Sequence, residues 1–316
     1  MAVFTPLTRP ELEAFLEPYG LGPLRDFRGI DGGVENSNFF VSLESSECVL
    51  TLIERGDPAA LPFFIELLER LHQAKLPVPY AISTQDGQAL RQLAGKPALL
   101  QPRLSGSHVQ TPNAQHCAEV GQMLARIHLA THDAIIEGRS DRGLAWMLSE
   151  GPVLAQSLEP AEQALLSDSL REIEQQRAAI LALPQANLHA DLFRDNVLFE
   201  GNHLSGVIDF YNACSGPMLY DLAITCNDWC CEDDGQLDPA RCRALLGAYV
   251  ALRPCTSKEA ELWPCLLRVA CLRFWLSRLI SAQQPHAEGV KIKAPEEYAQ
   301  RLRLRQQVKI ALPMAL

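Results

Sequence analysis

The chain has no excess of positive charge: 28 lysines and arginines face 38 aspartates and glutamates, for a formal net charge of −10. Nucleic-acid binders carry a basic footprint that neutralises phosphates, so no nucleic-acid partner is expected, although a net charge leaves room for one basic pocket. A secretory leader is also missing from the reading. The opening MAVFTPLTRPELEAFL has no basic stretch ahead of an apolar one, and Glu11 and Glu13 interrupt it early. There is no long uninterrupted apolar run either. The best, Leu266 to Ile280, is broken by Arg268, Arg273 and Arg278 and is too short and too charged to span a bilayer. These absences lead us to expect a cytoplasmic protein with no membrane partner. Ten cysteines are present, but no CxxC pair and no cysteine with a histidine at ligand spacing. Cys226, Cys230 and Cys231 cluster and the others scatter, so all ten are expected to be small buried apolar residues without disulfides or metal. Internal repeats and low-complexity tracts are absent.

What is present is a large apolar fraction, 47% of 316 residues, with 21% charged. That is ample for a core and lies in the range where chains divide into two lobes. Residues 8–18 predict a short helix with Thr8 as N-cap and Glu11 three residues on. Strand-like runs follow at 24–29, 38–43 and 48–54, separated by turn-forming GIDGGVENS and by Glu44–Glu47. Residues 62–73 have helical apolar spacing. Residues 78–83, 89–93 and 97–102 predict further strands. Beyond 103–108 the character changes to long helical patterns at 113–131 and 160–183, a strand–loop–strand insert at 187–210, and two or more helices from 218 to 281. A small β-rich lobe (1–102) followed by a large, mainly helical lobe (103–316) makes an α+β, bilobal arrangement. Clefts between such lobes are favoured ligand sites.

The chemistry concentrates in NLHADLFRDNVLF, residues 187–199, where His189-x-Asp191 is followed after four residues by Asn196. Ile208-Asp209-Phe210 comes after the turn EGNHLSG. Such spacing matches the catalytic loop and metal-binding strand of protein-kinase-like enzymes. Asp191 is placed to accept the proton of a substrate hydroxyl. Asn196 reaches a Mg2+ ion from the other end of the same loop, and Asp209 bridges metal to the β- and γ-phosphates of ATP. His189 is read as a hydrogen-bonding brace of the loop beside the base.

The pattern resembles the aminoglycoside phosphotransferase and choline kinase superfamily, and within it the homoserine kinase branch. The resemblance is carried by Glu35–Val41, Val49–Leu52, Pro77–Pro79, Asn187–Asn196, Val207–Tyr211, Tyr220–Ile224, Asn227–Cys230 and Arg273–Arg278, in order along most of the chain. It implies a protein-kinase-like fold, ATP and Mg2+ as cofactors, and phosphorylation of L-homoserine on the way to threonine. On the nucleotide side it implies contacts from Gly33, Asn36, Ser37 and Asn38 in the glycine-rich turn, from Thr51, and from the strand end at Gln101. Thr51 stands where a kinase carries its third-strand lysine, which leaves Arg55 as the nearby cation. Glu66 and Glu69 match the usual partner of that lysine by position only.

Homoserine is a zwitterion, so its pocket needs a cation for the carboxylate and acceptors for the ammonium. Arg268, Arg273 and Arg278 offer the cation, with Arg273 preferred. Asp228 offers the acceptor and Trp229 an aromatic wall, and Tyr211, directly after Asp209-Phe210, is placed near the metal. Aminoglycoside, choline and methylthioribose kinases share the same loop and remain alternatives. So does a non-catalytic nucleotide-binding protein of this fold, against which the intact Asp191, Asn196 and Asp209 argue.

Overall fold

The computed structural model describes residues 5–30, 36–54, 57–138, 140–283, 293–308 and 310–313. The chain forms two compact units: Met1–Gly106 with Gly206–Ile208, and Ser107–Ser205 with Asp209–Leu316.

The first unit is built on a five-stranded antiparallel sheet in the order β1-β2-β3-β5-β4, where β1 is Leu24–Gly29, β2 Ser37–Leu43, β3 Glu47–Leu52, β4 Leu90–Leu93 and β5 Lys96–Pro102. Period-two alternation sends Phe39, Val41 and Leu43, Cys48, Leu50 and Leu52, and Ala98 and Leu100 to one face. There they meet Leu12, Phe15 and Leu16 of helix α1 (Arg9–Leu16). An eight-residue helix is marginal alone. Burying those three side chains contributes about 1.5–3 kcal/mol each, and the Thr8 backbone N–H donates to Glu11 Oε2 at 2.8 Å, so packing and cap together hold it. The register Asn38↔Thr51↔Leu99 puts the polar pair Asn38 and Thr51 on the opposite face, beside the apolar Leu99. Helix α2 (Leu61–Gln73) buries Leu61, Leu67, Leu68 and Leu71.

The strand expected at 78–83 does not form. It joins no ladder: Pro79 has no N–H to donate, and the Val78 and Tyr80 N–H groups donate back to the Leu76 (2.9 Å) and Val78 (3.0 Å) carbonyls. It is tied instead by isolated bonds, Ile82 N–H to Leu100 O (2.8 Å) and Gln101 Nε2 to Pro79 O (2.5 Å).

The second unit is mainly helical: α3 (Ala114–Leu129), α4 (Leu144–Ala155), α5 (Pro160–Leu181), α6 (Met218–Trp229), α7 (Pro239–Leu252), α8 (Ser257–Gln283) and α9 (Pro295–Arg305). Helices α3 and α7 approach at Gly121, where any Cβ would overlap the Leu245 carbonyl oxygen. Four further short strands form, β6 (Gln185–Leu188), β7 (Val197–Glu200), β8 (His203–Val207) and β9 (Cys214–Pro217). β7 pairs with β8, and β6 pairs with β9, whose last rung is Leu188↔Cys214. The chain therefore leaves that rung at His189 and returns to it at Ala213. Among the described residues no helix is long and apolar enough to cross a membrane.

Candidate active site

The segment that begins at His189 carries a backbone that only a specific anchor would hold. Ala190 has φ 59° and Asp209 φ 63°, left-handed values that cost a non-glycine residue about 1–2 kcal/mol. The anchor is Asp221, on the first turn of α6 and wholly buried. Its carboxylate accepts the backbone N–H of His189 (2.7 Å) and of Ala190 (2.9 Å), and the Nε2–H of His128 (3.2 Å). His128 Nδ1 in turn meets the Tyr249 hydroxyl at 2.8 Å. Burial pushes the Asp221 pKa up, but the hydrogen bond and charge of His128 and the groups of His189 outweigh it and leave the carboxyl below its ordinary value.

Two consecutive N–H groups gripped by one carboxylate aim the next side chain, Asp191, outward at 21% exposure. His189 is fully buried. Its ring packs on Phe210 at 4.5 Å and its Nδ1 accepts the Asp191 backbone N–H at 3.3 Å. Its position is that of a brace within the loop and away from solvent.

Asn196 closes the other end of the loop in a short 3-10 turn, Arg194–Asn196. Its Nδ2 donates to the Asp191 carbonyl at 2.8 Å, which orients Oδ1 as the acceptor atom that remains. Asp209 is exposed.

Around Asp191 the structure gathers residues far apart in sequence. Asn212 Nδ2 donates to Asp191 Oδ2 at 3.1 Å, and Asn212 Oδ1 accepts from Arg273 Nη2 at 3.1 Å. Arg273 Nη1 lies 3.7 Å from Asp191 Oδ1. Arg273 is 3% exposed, and its Nη1 is buried without a hydrogen-bond partner among the described residues. The other two arginines of α8 are spent elsewhere: Arg268 pairs with Glu172, its Nε donating at 2.8 Å, and Arg278 pairs with Glu297 and donates to the Ala294 carbonyl at 2.9 Å.

Other expected site residues sit differently from the sequence reading. Trp229 is wholly buried and donates Nε1–H to the Leu192 carbonyl at 3.0 Å, so it supports the loop from behind and presents no open aromatic wall. The sequence spacing could not show that α6 runs under the loop. Asp228 Oδ2 takes both the backbone N–H (2.9 Å) and Nε (3.3 Å) of Arg194, which commits it to the loop ahead of any ammonium. Tyr211 follows Asp209 in the turn Phe210–Asn212 and is half-buried.

In the first unit, Thr51 donates its hydroxyl to Asn38 Oδ1 at 2.7 Å on the sheet face away from the core. Asn36 Oδ1 accepts the Glu54 N–H at 3.1 Å, and the Ser37 hydroxyl donates to Glu54. Asn36 and Ser37 thus knit the start of β2 to the end of β3. Lys96 of β5 forms an ion pair with Glu54. Glu66 pairs with Arg70 and Glu69 accepts from Gln73, both along the surface of α2. Gly33 and Arg55 lie outside the described residues.

Sequence spacing singled out Asp191 and Asn196 because one loop carries them, and Asp209 because it follows the adjoining β7–β8 hairpin. Asn212 was missed. The only signal for it is that it lies about as far from the Leu188↔Cys214 rung as Asp191 does, which is visible only once β9 is known.

The sequence profile of the phosphotransferase enzyme family matches residues 26–255. The chain resembles a homoserine kinase of Pseudomonas aeruginosa, 64% identical over 316 residues and covering 100% of both chains. It also resembles a homoserine kinase of Methylobacillus flagellatus, 40% identical over 96% of this chain and 94% of that one. Among solved structures, an amicoumacin kinase in complex with AMP-PNP and Ca2+ superposes with a TM-score of 0.68 at 15% identity, covering 95% of each chain. Choline kinase from Cryptosporidium parvum superposes at 0.60 and 15%, covering 89% and 88%. The fold is the kinase-like fold of these phosphotransferases. The chain belongs to the phosphotransferase enzyme family and, within it, to the homoserine kinases.

Proposed function

We propose that the chain transfers the γ-phosphoryl group of ATP to the side-chain hydroxyl of L-homoserine, with Asp191 as the base and Arg273 as the carboxylate anchor. The observation that carries this reading is the buried Nη1 of Arg273, which has no hydrogen-bond partner among the described residues and lies beside Asp191. A buried guanidinium N–H needs an acceptor. A substrate bearing both a hydroxyl and a carboxylate supplies one while placing its hydroxyl at the base. Choline has no carboxylate, and a polycationic aminoglycoside is repelled by the same guanidinium.

Asp191 accepts the hydroxyl proton as the substrate oxygen bonds to the γ-phosphorus and the bond to the β-bridging oxygen breaks, releasing ADP. Asn212 holds the Asp191 carboxylate and Arg273 in register. Asn196 Oδ1 and the Asp209 carboxylate are oxygen donors of the kind a hard cation requires, so they fit Mg2+. When bound there, the ion neutralises charge on the transferring phosphate. Asp221, His189, Asp228 and Trp229 fix the loop. We assign Gly33, Asn36, Ser37, Asn38, Thr51 and Gln101 to the nucleotide, and Tyr211 to the substrate's surroundings. The product feeds threonine biosynthesis, in the cytoplasm.

Asp191→Asn keeps the shape and removes the base. The turnover number is expected to fall roughly a hundredfold or more, with the ATP dissociation constant unchanged by calorimetry. A variant that turns over like the wild type removes Asp191 from this role.

A further inference from the structure

All ten cysteines are buried, as expected for plain core residues, but three of them meet. Cys226 and Cys230, at the end of α6, and Cys242, on the first turn of α7, are each wholly buried, with sulfur atoms all within 4.8 Å of one another. Cys226 and Cys242 are 3.9 Å apart. In a tetrahedral zinc thiolate with bonds of about 2.3 Å, sulfurs sit about 3.8 Å apart. Residues four apart on a helix share a face, and the close α3–α7 approach at Gly121 draws the third thiol in. Cys117 of α3, also wholly buried, lies against Cys230 as the nearest possible fourth ligand.

A second, independent observation is Arg305 of α9. It is fully buried, and its guanidinium donates to the Asn227 Oδ1 (2.7 Å), the Gly235 carbonyl (2.8 Å) and Cys231 Sγ (3.6 Å). None of these partners carries a negative charge, and no carboxylate pairs with it among the described residues. A buried cation needs a buried anion.

We infer that Cys226, Cys230 and Cys242 bind a structural Zn2+ ion. Binding displaces the thiol protons to solvent. Three thiolates around Zn2+ carry a net charge of −1, which Arg305 balances. Soft thiolates select such an ion over Mg2+. The site clamps the end of α6, the turn whose Asp228 and Trp229 hold Arg194 and Leu192 of the catalytic loop. The ion acts on the loop through that turn and touches no reacting atom.

The test uses the full chain produced with zinc in the medium. One zinc per chain is expected to survive gel filtration, by elemental analysis. After metal stripping, Co2+ should give a sulfur-to-cobalt charge-transfer band with tetrahedral d–d bands. An oxygen-ligated ion, such as one held at Asn196 and Asp209, gives no such band. Zn2+ should raise the thermal midpoint of the stripped wild-type chain, and Mg2+ should not. Cys242→Ser should lose the charge-transfer band, and Cys265→Ser, a buried thiol outside the cluster, should keep it. A wild-type chain that holds no zinc, or whose cobalt form lacks the band, overturns the inference without any variant having to fold.

Discussion

Asp221→Asn isolates the anchor of the catalytic loop. The substitution preserves volume but turns one carboxylate oxygen into an NH2 group and removes the charge. The two backbone donors, His189 N–H at 2.7 Å and Ala190 N–H at 2.9 Å, then face a single acceptor oxygen, and one of them meets another donor. A hydrogen bond to a charged group is worth about 1.5–3 kcal/mol, and breaking a buried ionic network costs about 3–5 kcal/mol. Nothing then offsets the left-handed turn at Ala190. We expect the second unit to lose about 3–5 kcal/mol, a large share of a net stability of about 5–15 kcal/mol. Turnover should also fall sharply, because Asp191 is no longer aimed.

The effect has a pH signature. The Asp221 carboxyl is held below its ordinary value in the folded chain. Its contribution is therefore fully present above the unfolded aspartate pKa of about 3.9, and it is lost as pH falls through the lower folded value. The wild-type advantage over Asp221→Asn should be constant from neutral pH down to about 4 and shrink below that. Urea unfolding of both chains across pH, with turnover on the same samples, makes the measurement. A variant within about 0.5 kcal/mol of wild type, the range of ordinary surface changes, with normal turnover would refute the reasoning.

Two other substitutions probe the cluster around the base. Arg273→Met should raise the homoserine KM by about 10- to 150-fold, the equivalent of about 1.5–3 kcal/mol for a lost charge-assisted bond, and leave the ATP KM near its wild-type value. An unchanged homoserine KM takes the carboxylate away from Arg273. Asn212→Ala removes the donor to Asp191 and the acceptor for Arg273 together. It should lower the turnover number by about tenfold or more with ATP binding intact, and equal turnover would reduce Asn212 to scaffolding.

The parts of the site that were legible in the sequence are those whose geometry is local. Asp191, Asn196 and Asp209 occupy one loop and the adjoining hairpin, so their spacing alone was enough to single them out. The chemistry of a zwitterion called for a cation but could not choose among the three arginines of α8; in the fold, Glu172 and Glu297 claim two of them and leave Arg273. Asn212 meets Asp191 through a β6–β9 pairing that four-residue strands do not announce. Trp229 and Asp228 read as pocket residues because their motif is polar and aromatic, yet α6 buries all twelve of its residues, and both support the loop from within. The β-rich start and helical remainder were readable from periodicity. The exceptions have physical causes. No ladder formed at 78–83, where Pro79 has no N–H and the Val78 and Tyr80 N–H groups bond back along the chain, and neither α4, which carries Gly151 and Pro152 inside it, nor α9 was read from the sequence. The three meeting cysteines escaped because two share a helix and the third lies on the next, a spacing no ligand motif encodes.

The most direct test of the account is phosphorus NMR of the purified chain with ATP and Mg2+, offered L-homoserine, choline, methylthioribose and kanamycin in separate and mixed reactions. The account predicts one new phosphomonoester resonance, from O-phospho-L-homoserine, formed in preference to any other product and absent with Asp191→Asn. A preferred phosphate ester of choline or of an aminoglycoside would contradict the pairing of Asp191 with Arg273 as a site for a hydroxyl and a carboxylate.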